Sequence, residues 1–271
     1  MGILIDLHSH STLSPDGCDT PMKMAERACE MGLKHFALTD HIEADKFDEW
    51  DYAGSVKKSY GEYLEIKERF GDKMEVYYGA ELGQALYNLP LTEKIFAEND
   101  FDFILGSQHR TRSFKYLGVS PEDGKLLLKE YFDEVLALAE WGRFCSLSHL
   151  TYPLRYIEVD WRSEDLPRIC RVDMSPYRTV IDKILETIIS KDIALEVNSA
   201  GIRKGLGESI PNADYIRRYK ELGGKMVTVG SDAHRTADIA ADIPQCLEML
   251  KENGFNEICV FKKKQPVFIK I

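Results

Sequence analysis

The segment Ile3-Leu4-Ile5-Asp6-Leu7-His8-Ser9-His10 is a short apolar run that ends in two histidines. The apolar part predicts a short buried strand. In an extended chain alternate side chains point to the same side, so the imidazoles of His8 and His10 can reach one metal ion. A strand followed directly by metal-binding side chains is the pattern that recurs along this sequence.

Six further apolar runs predict strands, and helical patterns lie between them. The predicted strands cover residues 3–7, 35–39, 74–80, 101–106, 144–148, 193–197 and 226–229. The predicted helices cover residues 21–31, 55–70, 91–98, 121–141, 177–190, 213–222 and 237–253, and a last extended segment covers 258–271. Residues 151–174 break the alternation and predict a long loop or an insertion. The alternation predicts one α/β domain over residues 1–271, built as a parallel barrel or as a doubly wound sheet.

Six of the seven histidines follow a predicted strand. They are His8, His10, His41, His109, His149 and His234, and Glu81 and Asp232 occupy equivalent places. The carboxyl ends of barrel strands meet at one rim, so we expect these side chains to converge there. Imidazole is the usual ligand of zinc, iron and manganese, and bridging carboxylates allow neighbouring ions to share a site. The sequence therefore predicts a multinuclear metal site, whereas His35, which begins a strand, is predicted to be a structural or surface residue.

The composition excludes several classes of function. The chain has 271 residues and a formal net charge of −10, so it has no general attraction to nucleic-acid backbones or anionic lipid. No uncharged stretch approaches the roughly 20 residues that a membrane-spanning helix needs, and the N-terminal residues do not match a signal peptide. The six cysteines are scattered, as in cytosolic proteins with reduced thiols. We therefore expect a cytoplasmic protein that binds neither nucleic acid nor membrane, and the sequence leaves a homo-oligomer open.

The ordered motifs around the metal-binding residues resemble those of the PHP family, which is named for polymerase and histidinol phosphatase. The motifs run from the first predicted strand to the last: Asp6-Leu7-His8-Ser9-His10, Thr39-Asp40-His41, Gly79-Ala80-Glu81, Ser107-Gln108-His109, Ser148-His149 and Ser231-Asp232-Ala233-His234. The resemblance implies a distorted (β/α)7 TIM-like barrel with its metal site at the C-terminal rim of the strands. It also implies hydrolysis of phosphoesters with three divalent metal ions, which are zinc, iron or manganese.

The same resemblance implies a set of ligands for each ion. These are His8, His10, Glu81 and Asp232 for the first ion; Glu81 again, as a bridge, with His109 and His149 for the second; and His41 and His234, completed by Asp16 or a nearby residue, for the third. Many family members have a histidine near position 16, and Asp16-Gly17 is equally compatible with a plain turn. Asp40 or Asp6 could orient a metal-bound histidine from behind.

Within the family, the stretch from Glu196 to Lys204 and the closing residues 261–267 resemble the histidinol-phosphate phosphatase subgroup. That resemblance implies a phosphomonoesterase of histidine biosynthesis, which hydrolyses L-histidinol phosphate to L-histidinol and phosphate. A hydroxide that bridges two metal ions would attack phosphorus. The catalytic residues that it implies are Glu81, Asp232 and His234.

Arginine is the side chain best suited to hold the phosphate, because its planar fork binds oxyanions with two hydrogen bonds. The resemblance implies this role for Arg155, in the loop after His149, and for Arg203, after the sixth strand. Arg235 and Arg110 are weaker candidates. Asn198 is expected to bind the substrate or a metal-bound water.

Three alternatives to a histidinol phosphatase remain open from the sequence. The same chemistry could act on another phosphomonoester, such as a phosphotyrosine protein or a nucleotide. The chain could instead be a non-catalytic metal-binding module, although the intact set of ligands counts against this. A similar barrel metal site could also serve an amidohydrolase. In the leading interpretation the partner is a small-molecule phosphomonoester.

Overall fold

The computed structural model describes residues 5–114, 121–160, 168–169 and 171–271, and parallel strands dominate that part of the chain. The strands are β1 (Ile5–Asp6), β2 (His35–Leu38), β3 (His41–Glu43), β4 (Glu75–Gly83), β5 (Phe103–Ser107), β6 (Ser146–Leu147), β7 (Val159–Asp160), β8 (Arg168–Ile169), β9 (Ala194–Asn198), β10 (Val227–Gly230), β11 (Glu257–Lys262) and β12 (Gln265–Lys270). The helices are α1 (Pro21–Glu30), α2 (Tyr52–Phe70), α3 (Leu89–Glu98), α4 (Pro121–Trp141), α5 (Leu154–Ile157), α6 (Arg178–Ser190), α7 (Ala213–Glu221) and α8 (Ile243–Glu252).

Within these described ranges, seven strands form a nearly closed parallel barrel. Neighbouring strands pair in the order β1-β2-β4-β5-β6-β9-β10, and β3 continues β2 beside β4. Two backbone hydrogen bonds connect the first strand region with the last: Leu7 N to Val229 O at 3.1 Å and Asp232 N to His8 O at 2.7 Å. The prediction of an α/β barrel is therefore confirmed, and the doubly wound sheet is excluded.

Helices cover the outside of the barrel with apolar faces. Helix α6 buries Ile181, Ile184, Leu185 and Ile188, which recur at the three- and four-residue spacing of one helical face. Full burial of such a side chain contributes about 1.5–3 kcal/mol relative to leaving it exposed. No helix in the described part of the chain is long and apolar enough to span a membrane.

A buried carboxylate links the start of the barrel to its end. Asp6 accepts hydrogen bonds from the amide of Ser231 (2.9 Å), from its hydroxyl (2.5 Å) and from the amide of Ala240 (2.8 Å). Burial raises the pKa of Asp6, and these hydrogen bonds oppose that rise. Asp6 also accepts from the amide of His8 at 3.3 Å, so it holds the backbone beside the imidazole rather than the ring.

The bounds of several predicted segments differ from the observed ones. The third predicted strand, 74–80, continues to Gly83 because its pairing with β3 and β5 extends past Glu81. The last predicted helix, 237–253, begins only at Ile243, since Pro244 lacks an amide hydrogen and suits the first turn. The closing extended segment is an antiparallel hairpin of β11 and β12, whose turn residues Lys263 and Lys264 have φ of 49° and 63°.

The expected loop or insertion at 151–174 contains short elements. Helix α5 is followed by β7, which pairs with β8 in an antiparallel two-stranded sheet. Residues 161–167 and 170 lie outside the described residues. The sequence pattern did not predict these elements, because helices and strands of two to four residues carry no hydrophobic period.

We predict that Gly106→Ala lowers the free energy of unfolding by about 1–3 kcal/mol, because added volume in a packed core forces displacement. A Cβ at this position in β5 would lie 2.6 Å from the ring of Phe144. Gly61→Ala is the matched control, since its Cβ meets nothing within 4 Å in the middle of α2. It should stabilise the protein by about 0.5–1 kcal/mol. Urea unfolding of both variants tests the packing, and equal effects would contradict it.

Candidate metal centre

The carboxyl ends of the barrel strands bring the predicted metal-binding residues together. The clusters whose ligand atoms lie close enough to share an ion are His8, Glu81 and His149; His8, His10 and Asp232; His41, Glu81 and His109; and His10, His41 and His234. His8, His10 and Glu81 are almost fully buried, whereas His41, His109 and His234 retain some exposure. The parallel barrel explains this convergence, because each strand ends at the same rim.

Glu81 lies at the middle of the cluster. Its Oε1 is 3.0 Å from His109 Nε2 and 2.8 Å from His149 Nε2. Its Oε2 is 3.3 Å from His8 Nε2, 3.5 Å from His10 Nε2 and 3.0 Å from His41 Nδ1. Both carboxylate oxygens therefore face several imidazoles, which is the arrangement that a bridging ligand needs.

Asp16 lies beside the outer histidines of the cluster. It lies 3.1 Å from His234 Nε2 and 3.7 Å from His41 Nε2. The ring of His10 stacks against both histidines, with centroid distances of 4.2 Å to His41 and 4.3 Å to His234. The side chain of Asp16 is 60% exposed, so this group forms the solvent-facing side of the cluster.

Two residues of the cluster have left-handed backbone conformations. His149 has φ of 25° and Asp232 has φ of 54°, and both are non-glycine residues. Such conformations cost free energy and persist where the surrounding structure holds them, which is common at functional sites. The amide of His149 donates to Glu196 at 2.9 Å, and the amide of Asp232 donates to the carbonyl of His8.

Two buried carboxylates that were not predicted from the sequence contact Nδ1 of two of the clustered histidines. Glu196 Oε1 lies 2.6 Å from His8 Nδ1, and Glu43 Oε1 lies 2.6 Å from His109 Nδ1. A signal for each was present in the sequence. Glu196 is an acid inside an apolar strand, and Glu43 lies two residues after His41, on the same side of an extended chain.

Asp40, one of the two acids expected to orient a metal-binding histidine, contacts His10 indirectly, through the hydroxyl of Ser14. The hydroxyl of Ser14 donates to Asp40 at 2.7 Å, and its oxygen is 3.2 Å from His10 Nδ1. Because that hydroxyl hydrogen is used by Asp40, Ser14 must accept from His10. His10 therefore has its hydrogen on Nδ1, and its Nε2 faces the cluster without a hydrogen.

Burial and neighbouring charges shift the pKa values in opposite directions. Burial disfavours the charged form of His8, but Glu196 and Glu81 outweigh it and hold the pKa of His8 well above its usual value. Burial would raise the pKa of Glu81, yet His109, His8 and His41 together keep that pKa well below its usual value. Burial and the neighbouring rings lower the pKa of His10. Glu81 is therefore an anion at neutral pH.

The donor set fits divalent metal ions. The Nε2 atoms of His8 and His10 approach each other at 3.0 Å, although both rings are held from behind through Nδ1. His41 Nδ1 lies 3.0 Å from Glu81 but makes no hydrogen bond among the described residues, and His149 Nδ1 is equally unpartnered there. Inward-pointing imidazole lone pairs around an anionic carboxylate are the ligands that zinc, iron and manganese prefer.

Three cationic side chains border the cluster beside Asp232. Arg155 Nη1 lies 3.7 Å from Asp232, and its guanidinium packs against the rings of Tyr152 (4.4 Å) and Tyr156 (4.9 Å). Arg203 donates through Nη2 to the carbonyl of Asp232 at 3.0 Å. Its Nη1 is buried without a hydrogen-bond partner in the described ranges.

Lys204 is the third cation and was not singled out from the sequence. Its Nζ lies 3.8 Å from Asp232 Oδ2. Burial would raise the pKa of Asp232, but Lys204 and the neighbouring histidines hold it well below its usual value. Lys204 was not predicted because a lysine after a strand belongs to no metal-binding or phosphate-binding motif.

Three other candidates lie apart from the cluster or are already paired, and the same holds for His35, which was predicted to be a structural or surface residue. Arg235 is 65% exposed and bonds Asp238. Arg110 pairs with Asp45 and Glu43. The amide of Asn198 is buried, where its oxygen accepts from Ala200 N at 2.9 Å and its nitrogen is 3.4 Å from Glu196. His35 bonds the hydroxyl of Tyr77 at 2.7 Å, away from the metal-binding residues.

The chain is similar to known proteins over most of its length. Residues 6–200 match the family model of the PHP domain. A protein of Thermotoga maritima described as a probable histidinol-phosphatase is 30% identical over 265 residues, which cover 96% of this chain and 97% of that protein. The histidinol-phosphatase of Lactococcus lactis is 25% identical over 265 residues, covering 95% and 94%.

A solved structure shares the fold. The crystal structure of histidinol phosphate phosphatase from Lactococcus lactis, complexed with zinc, L-histidinol and phosphate, has a TM-score of 0.79 and 21% sequence identity. The match covers 97% of this chain and 98% of that one. The family model spans most of the chain, and a relative at 30% identity spans nearly all of it. The chain therefore belongs to the PHP family.

Proposed function

We propose that the protein is a metal-dependent phosphomonoesterase that hydrolyses L-histidinol phosphate to L-histidinol and phosphate, as in histidine biosynthesis. The observation that carries the proposal is the cluster around Glu81, with three cationic side chains on its Asp232 side. Such a site can neutralise a phosphate dianion and bind a nucleophile. The substrate is proposed from relatives described as histidinol-phosphatases, which this chain matches over nearly its whole length.

We assign three divalent ions to the cluster as part of this proposal. The ligands are His8, His10, Glu81 and Asp232 for the first ion; Glu81, His109 and His149 for the second; and His41, His234 and Asp16 for the third. The short distances from Glu81 to five imidazoles support its role as the bridge. Zinc is the metal in the related Lactococcus lactis structure, and iron and manganese have the same preference for imidazole and carboxylate.

The hydrolysis forms a bond from a water oxygen to phosphorus and breaks the bond from phosphorus to the alcohol oxygen, which takes up a proton. When bound, divalent ions neutralise the phosphate and lower the pKa of water. Glu81, Asp232 and His234 are the proposed catalytic residues, because they would hold the metal ions beside which the bonds to phosphorus form and break. His8 and His10 are fully buried, so bulk water is excluded from their side of the site and electrostatic interactions there are stronger.

Arg203 and Arg155 are the proposed phosphate ligands. Arg203 is anchored by the carbonyls of Ser231 (2.5 Å) and Asp232 (3.0 Å) through Nη2. Its Nη1 has no partner among the residues that the structure describes and is available to donate to a phosphate oxygen. The two tyrosine rings that pack against Arg155 fix its orientation and reduce the entropy lost on binding. Lys204 adds a third positive charge. Arg235 and Asn198, also expected at the substrate, have the weakest geometric support because their polar groups are already paired.

The single-domain organisation over residues 1–271 stays a prediction. It is supported by the main core cluster, which extends from Ile5 to Phe261 and includes residues of the barrel strands and of the helices around them. The oligomeric state and the cytoplasmic location also stay predictions.

We predict that protein reconstituted with zinc, manganese or iron releases phosphate from L-histidinol phosphate faster than from a phosphotyrosine peptide or a nucleoside monophosphate. Steady-state assays of phosphate release, with kcat/KM for each substrate, make the comparison. Chelator-treated protein is the control and should be inactive, because its water is not activated. Release from none of the substrates would contradict the phosphatase. Release from the others alone would contradict only the choice of substrate.

We predict that Arg203→Ala lowers kcat/KM by about 10²-fold or more, the size of effect seen when a preorganised oxyanion donor is removed. Metal content should be unchanged, because Arg203 is not a metal ligand. Arg217→Ala is the matched control: this surface arginine pairs with Asp214 at 2.9 Å on α7. It should keep the wild-type kinetics. Unchanged kinetics for Arg203→Ala would remove this residue from the substrate site.

A further inference from the structure

Glu196 connects two of the strands that carry metal-binding histidines. Its Oε2 accepts from the backbone amide of His149 at 2.9 Å, and its Oε1 lies 2.6 Å from Nδ1 of His8. Glu196 is 1% exposed. One oxygen is therefore occupied by a fixed amide donor, and the other oxygen is left for the imidazole.

Glu43 makes the same type of contact on another side of Glu81. Its Oε1 lies 2.6 Å from Nδ1 of His109, and Arg110 approaches Oε2 at 3.2 Å. In the amide orientation that satisfies its neighbours, Gln84 donates to Oε2 of Glu43 and accepts from the amide of His109 at 2.6 Å. Again one oxygen is occupied by fixed donors and the other faces an imidazole.

Both carboxylates lie against a barrel glycine that has no room for a side chain. A Cβ at Gly230 would collide with His8 and lie 2.9 Å from Glu196 Oε1. A Cβ at Gly83 would collide with the carboxylate of Glu43. Neither glycine has a positive φ, so it is space, not backbone conformation, that requires glycine at these positions. The barrel thus leaves room for both acids directly behind the histidines.

We propose that Glu196 and Glu43 are positioning residues, which hold His8 and His109 with the hydrogen on Nδ1 and thereby set how tightly the protein retains its metal ions. A carboxylate behind an imidazole fixes the ring orientation, makes the other nitrogen a stronger ligand and leaves its lone pair free. In both histidines that nitrogen, Nε2, faces Glu81, at 3.3 Å for His8 and 3.0 Å for His109. The proposal rests on the metal-dependent function given above.

The fixed donors determine how the side-chain amide of a glutamine would be oriented at position 196 or 43. In Glu196→Gln the carbonyl oxygen must stay on the amide of His149, so the NH2 group turns toward His8 Nδ1. That NH2 group favours the hydrogen on Nε2, which then has no lone pair for an ion. In Glu43→Gln the donors Arg110 and Gln84 have the same effect on His109. Replacing either carboxylate by an amide of nearly the same shape therefore moves the hydrogen of the histidine from Nδ1 to Nε2.

The test measures zinc binding to chelator-treated protein by competition with a chromophoric chelator, together with zinc per chain by elemental analysis. We expect Glu196→Gln and Glu43→Gln each to bind zinc about 10–100-fold more weakly than the wild type. Asp102→Asn is the matched control, because Asp102 accepts from the amides of Tyr78 and Lys263 at the opposite end of the barrel. It should bind zinc as the wild type does.

Wild-type zinc affinity in both glutamine variants would overturn the proposal. Thermal unfolding of the metal-free variants separates a loss of ligand orientation from a loss of fold. If a variant does not fold, nitrogen NMR of the zinc-loaded wild type gives the answer directly: His8 and His109 must carry hydrogen on Nδ1, and hydrogen on Nε2 would refute the proposal. None of these measurements uses a substrate, so a failure of the phosphatase assignment leaves them interpretable.

Discussion

The carboxylate of Glu81 is the constraint on which the metal centre depends. It lies almost fully buried at the end of the barrel with five imidazole nitrogens within 3.5 Å. A buried carboxylate without compensating positive charge would be very costly, so cations or protonated histidines must accompany it. The strained backbones of His149 and Asp232 and the carboxylates behind His8 and His109 all support the inward orientation of ligands around this one group.

The barrel and the composition of the cluster could be predicted from the sequence. Parallel strands in a barrel share one carboxyl-terminal rim, so a histidine after each of several apolar runs has to arrive at the same place. The structure places His8 and His149, which are far apart in sequence, beside the two carboxylate oxygens of Glu81. The order of strands and helices along the chain was therefore enough to predict that these histidines lie close together.

The contacts that two buried carboxylates make with Nδ1 of the clustered histidines could not be predicted in the same way. Glu43 and Glu196 act through contacts that depend on the barrel register and on the space left by Gly83 and Gly230. The local sequence places an acid in the strand at 196 and another two residues after His41, but it contains neither the register nor that space. Lys204 was missed for a related reason, since only the folded loop brings its ammonium to 3.8 Å from Asp232. Arg235 is a different case, because Asp238, which occupies this expected phosphate ligand, lies only three residues further along the chain.

The most direct test of this account is the metal content of Glu81→Ala beside that of Asp16→Ala, measured by elemental analysis after both are purified identically with the wild type. Because Glu81 is proposed to be shared between ions, its loss should remove more than one ion per chain. Asp16 lies beside the outer histidines, 3.1 Å from His234 and 3.7 Å from His41, so its loss should remove no more than one. A wild type without bound divalent metal, or a folded Glu81→Ala protein with the full wild-type content, would contradict the account.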